Sequence, residues 1–126
     1  MKVKIGKYPK YYYWLDRLFG YSPKQKTSIR IDRWDTWSMD HTLAHIVLPM
    51  LVQLKETQHG YPHGLTEQEW DEVLDEMIWA FEQKCRDDWM EDYDYNKWDS
   101  EGAKVHQERM TNGFKLFGKY YENLWD

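Results

Sequence analysis

The sequence predicts a mainly α fold: a compact bundle of three longer helices, a short N-terminal helix and a short extended segment near residues 28–32. Three observations predict it. Apolar residues recur at helical spacing over residues 38–57, 67–89 and 100–124. Gly, Pro and polar residues interrupt the chain between those runs. The 126 residues include eight Trp, ten Tyr and four Phe. That ring area can close one hydrophobic core despite a mean hydropathy of -0.94.

In chain order, PKYYYWLDRLFG reads as a short helix, with Pro9 at its start and Gly20 just past its end. YSPKQKT is a loop. SIRIDRW alternates apolar and polar residues, with Ile29 and Ile31 on one side, as an edge strand does. A long helix then runs from Thr36 or Ser38 to Thr57. Its stripe is Leu43, Ile46, Val47, Met50, Leu51 and Leu54, widened by Leu48 and Val52, so it is expected to be the central, most buried element. Pro49 removes the amide that would bond the His45 carbonyl, and its ring is expected to kink the helix. That carbonyl then needs another partner, and a polar pocket beside His45 is expected.

HGYPHG ends this helix at Gly60. Thr66 with Glu69 three residues on forms a capping box for the next helix. That helix is expected to reach about Trp89, with Trp70, Val73, Leu74, Met77, Phe81 and Cys85 facing in. DDWMEDYDYNKWDSEG is acidic and aromatic, an expected exposed loop. Ser100 can cap the last helix, which runs to about Leu124 with Val105, Arg109 or Met110, Phe114, Phe117, Tyr121 and Leu124 inward. Gly113 and Gly118 inside it each cost roughly 1 kcal/mol against Ala. Close approach to the central helix or to a ligand would offset that.

Charge is distributed unevenly. Residues 1–34 hold nine Lys or Arg against Asp16 and Asp32, and the remainder hold eight basic against twenty acidic side chains. One domain over residues 1–126 is expected, its basic 1–34 segment packed on an acidic helical body over 35–126. The alternative is an anionic partner held by Lys2, Lys4, Lys7, Lys10, Lys24 and Lys26, with Tyr11 to Trp14 available for stacking. No nucleic-acid motif accompanies them, and the cation-poor remainder argues against duplex binding there, so nucleic acid is not the expected partner. The single Cys85 excludes an intramolecular disulfide and fits a reducing cytoplasm. MKVKIGKYPKYYYW lacks the apolar stretch of a signal peptide, and the longest apolar run, Ile46 to Val52, is far short of a membrane span.

Three runs together carry a resemblance: RIDRWDTWSMDHTLAHIVLPMLVQLKETQHG, WDEVLDEMIWAFEQ and NGFKLFGKYYENLWD. They resemble a family of small proteins encoded by tailed bacteriophages and abundant in marine viral sequences. The resemblance covers most of the chain and implies a viral origin, but no chemistry. Members of that family carry long acidic inserts after the HG turn and after the second long helix. Both are short here, which implies that neither is needed for folding.

Two histidines four residues apart, His41 and His45, share one helix face, the spacing used where two imidazoles chelate a metal from one side. Further ligands would come from neighbouring helices, with Asp75 and Glu76 on one and His106 on another. Two readings stand beside this one: a ligand pocket without metal, and core histidines bonded to carboxylates and Tyr hydroxyls, with Asp40 as a charge at the helix N-terminus. The carboxylate density resembles helical nucleotide pyrophosphatases, which pair Glu-x-x-Glu with Glu-x-x-Asp around magnesium. Only Glu72-x-x-Asp75 is present here. No Gly-rich phosphate loop, CxxC or GxSxG occurs, and Cys85 falls on the inner face.

The leading expectation is therefore a phage accessory protein in the cytoplasm of the infected bacterium, acting by binding rather than catalysis. Its partner would be a host or phage protein, with a small ligand as the alternative, no cofactor and no membrane contact. Trp89, Tyr93, Tyr95 and Trp98 are candidate anchors for that partner. The alternative is a helical protein that binds or hydrolyses a nucleotide, or binds a divalent metal, at a His/carboxylate site.

Overall fold

The structure, a computed structural model, describes residues 1–86 and 100–126. The chain divides into two compact units, Met1–Ser38 and Met39–Asp126.

In the first unit, strands β1 (Lys2–Ile5) and β2 (Thr27–Arg30) pair antiparallel. Lys2 lies opposite Arg30, Val3 opposite Ile29 and Lys4 opposite Ser28. Side chains alternate along a strand, so Lys2, Lys4 and Arg30 share one face of the ribbon while Val3, Ile5 and Ile29 share the other. The Gln25 amide donates to the Gly6 carbonyl at 2.6 Å, and the Gly6 N–H donates to the Lys26 carbonyl at 2.8 Å, extending the ladder one rung. Helix α1 (Tyr13–Phe19) fills the connection and ends at Gly20, whose φ of 64° puts it in the left-handed region that favours glycine. Hydroxyls of Ser22 and Tyr11 each donate to Asp16 at 2.7 Å, and those bonds hold its carboxyl below the usual carboxylate range. A 3-10 turn, Arg33–Thr36, follows β2. No residue of this unit is buried. The extended segment near 28–32 is thus one strand of a pair. Its partner β1 went unanticipated, because four residues with two apolar positions give too short a pattern to read.

The second unit is built from α2 (Met39–Thr57), α3 (Glu67–Cys85) and α4 (Ser100–Lys119), closed by a 3-10 turn at Tyr121–Asn123. The central helix is α3, not α2. Both α2 and α4 pack on it. It buries Trp70, Leu74, Met77, Ala80, Phe81 and Gln83, whereas α2 buries only Ala44 and Leu51. The expectation failed because the apolar stripe of α2 is wider than its contact. Ala44, Val47, Leu48, Leu51 and Leu54 meet the core, while Leu43 and Met50 are 42% and 66% exposed.

What lets α4 close on α3 is a missing side chain. A Cβ at Gly113 would collide with the Ala80 Cβ and lie 2.8 Å from the Glu76 carbonyl oxygen. Gly118 has open space around it, and nothing in the structure requires a glycine there. Phe81 meets Phe114 and Phe117 edge-on with centroids 5.2 and 5.1 Å away, and Trp70 meets Tyr120 at 5.5 Å. Val105 and Tyr121, expected inward, are exposed.

The chain between α2 and α3 is clipped to the start of α3. Trp70 Nε1 donates to Gln58 Oε1 at 2.6 Å, and Gln58 Nε2 donates to Asp71 at 2.9 Å. The capping box is present, with Glu69 N–H donating to Thr66 Oγ1 at 3.1 Å. The glycine with positive φ in this connection is Gly64, at 90°, rather than Gly60. No helix among the described residues is long and apolar enough to cross a membrane.

Candidate functional site

His41 and His45 lie on the first two turns of α2, beside the C-terminal end of α3. The last carbonyls of a helix lack intrahelical donors. Two of those on α3, Glu82 and Gln83, accept from the Arg86 N–H. A third, Lys84, accepts from His41 Nδ1 at 3.1 Å, so a side chain of α2 caps α3. The Lys84 ammonium pairs with Asp40. That bond, assisted by the backbone N–H of His41, holds the Asp40 carboxyl below its usual range.

The two rings meet edge-on at 4.7 Å between centroids, and their Nε2 atoms are 3.1 Å apart. A carbonyl can only accept, so His41 Nδ1 carries a proton. One of the two Nε2 atoms donates to the other. The same arrangement suits a metal. Ligating histidines commonly donate their other N–H to a backbone carbonyl. Two imidazoles on one tetrahedral zinc place their nitrogens about 3.3 Å apart. Among the described residues, the partners seen are a helix-end carbonyl and a second imidazole.

Asp75 and Glu76 bond elsewhere. Asp75 accepts from Lys55 of α2. Glu76 takes a two-pronged bond from Arg109 of α4, with Nε to Oε2 at 3.1 Å and Nη2 to Oε1 at 2.8 Å. Arg109 also lies 3.9 Å above the Trp79 ring, and Glu76 pushes its guanidinium pKa up. Asp75 lies nine residues before Lys84, about 13 Å along the helix axis. His106 packs against α3 instead, with Nε2 donating to Gln83 Oε1 at 3.0 Å and its ring 5.2 Å from Trp79. Among the described residues, no three His, Cys, Asp or Glu side chains gather closely enough to hold a metal ion. Glu72 accepts from Gln68 at 3.3 Å. Burial raises the Cys85 thiol pKa, in keeping with a packing role. Trp89, Tyr93, Tyr95 and Trp98, the candidate partner anchors, lie outside the described residues.

Two residues without a part in the sequence reading come forward instead. Trp34 and Trp37 stack with centroids 5.8 Å apart and planes 24° apart, yet are 71% and 79% exposed. Their three-residue spacing was the available signal, since a 3-10 turn eclipses side chains at i and i+3. Compared with protein-family models, curated proteins and solved structures, the chain finds no match in any of the three.

Proposed function

We propose that this chain is a small phage accessory protein that works in the cytoplasm of the infected bacterium by binding rather than catalysis. Its contact surface is the N-terminal unit, and its partner is anionic. The viral placing rests on the resemblance of the three runs quoted above. The binding reading rests on one observation: fifteen large apolar or aromatic side chains of residues 1–38 are more than a third exposed. They sit among nine Lys or Arg and three Asp. Exposed apolar surface at that density marks a contact surface. On sequence grounds, Trp89, Tyr93, Tyr95 and Trp98 remain candidate anchors for a host or phage protein.

Capture from infected cells tests this, with the full chain as bait. A partner held by the wild type is expected to be lost from a Tyr12→Ser/Trp14→Ser variant and to elute as salt rises. Capture equal in both proteins, or insensitive to salt, would overturn the reading.

A second reading is favoured by the His41–His45 geometry: a divalent metal, with or without a nucleotide, held at the two Nε2 atoms. Tag-free protein would then gain thermal stability with zinc or manganese, and His45→Ala would abolish the gain. Substoichiometric metal with no thermal shift leaves the first reading alone.

A further inference from the structure

We infer that the Trp34–Trp37 stack is a base-stacking platform for single-stranded nucleic acid, with Lys2, Arg30 and Arg33 placed to meet the phosphates. The inference rests on the reading of residues 1–38 as the contact surface and names the partner of that surface. Large indole faces left open to water are costly unless something covers them. Here they are also held still. Asp32 and Asp35 form a reciprocal capping box across the turn, in which the Asp32 N–H donates to Asp35 at 2.7 Å. The Thr36 hydroxyl donates to the Arg33 carbonyl at 3.2 Å. The Met1 amine reaches Asp32 at 3.0 Å and Asp35 at 3.2 Å. Stacking rings fixed before a ligand arrives lose little entropy on binding it.

The same contacts bring cations to the platform. Met1 is bonded to the turn, so the next residue, Lys2, starts its strand there, and its cross-strand partner is Arg30. Arg33 lines an open recess of about 510 Å³ together with Trp34, Thr36 and Trp37. Over residues 1–38 the side-chain charge is nine positive against three negative. A planar ring for the indoles and an anion for the lysine and arginines are the two halves of a nucleotide. Sequence-tolerant single-strand binding combines these elements. An acidic peptide offers the charge without the ring, and a neutral sugar offers a stacking face without the charge.

Full-length protein titrated with a labelled oligothymidylate of about twelve nucleotides tests this, within the usual single-strand site size. Salt-sensitive binding with tryptophan quenching is expected, with a log–log salt slope of about −2 for three phosphates neutralised. Trp34→Ala and Trp37→Ala should each weaken it about 5- to 150-fold. Trp34→Phe, which keeps an aromatic face, should retain most of the affinity, separating lost stacking from a damaged turn. Arg33→Gln should flatten the slope by about 0.7. Binding unchanged in the alanine variants, or none at low salt, overturns the inference. So does a Trp34-dependent association with anionic vesicles or with a second copy of the chain while the oligonucleotide is ignored. If the oligonucleotide fails but partner capture still depends on Tyr12 and Trp14, only this inference falls. If both fail, the surface reading falls with it.

Discussion

His41 closes the end of one helix while standing on another. Replacing it with Ala leaves the Lys84 carbonyl without its imidazole donor and should cost about 1–2 kcal/mol by denaturant titration. His45→Ala, which removes only the ring-to-ring bond, should cost less. The neighbouring Asp40 gives a pH prediction. Its carboxyl is depressed in the folded state. The stabilisation is therefore present above the unfolded value near 3.8 and is lost as pH falls through the lower folded value. Carboxyl NMR should place the Asp40 midpoint below 3.8, moving back toward it in Lys84→Met. The His-x-x-x-His spacing was legible because it is local. The fate of Asp75 and Glu76 was not. Adjacent residues on a helix point about 100° apart, and on a helix flanked from two sides one meets α2 and the other meets α4.

At the scale of elements, signals confined to a few residues came through. The Thr66–Glu69 capping box and the left-handed Gly20 are set by hydrogen bonds that the local sequence contains. Packing partners were harder, since burial depends on which faces find neighbours, and the broad stripe of α2 hid that only part of it would. The two glycines of α4 separate the cases. Gly113→Ala should destabilise by roughly 1–3 kcal/mol through overpacking, because backbone and Ala80 must give way. Gly118→Ala meets nothing, and its better helix propensity should stabilise by up to about 1 kcal/mol. Thermal melts of the two single variants should shift in opposite directions.

Over the whole molecule, the charge split read from sequence coincides closely with a structural one. Residues 1–38 carry the positive excess, and the helical unit carries eight basic against nineteen acidic side chains. The units also differ in how their backbone is protected. A two-stranded ribbon without a buried residue is marginal by itself, whereas α3 is covered on two sides. Hydrogen exchange should release β1 and β2 amides well before those around Leu74 and Met77, whose opening should approach the global unfolding free energy. Comparable protection in both would contradict that order.

The tight winding of Arg33–Thr36 has a consequence for sequence change in this region. Rings three positions apart coincide on a spiral of three residues per turn and on no other regular one. Substituting Asp35 or Thr36 keeps that count, so the indoles can stay face to face. Inserting or deleting a single residue between them swings one ring a third of the way round. Homologues that keep this pairing are therefore expected to keep two residues between the rings, neither more nor fewer.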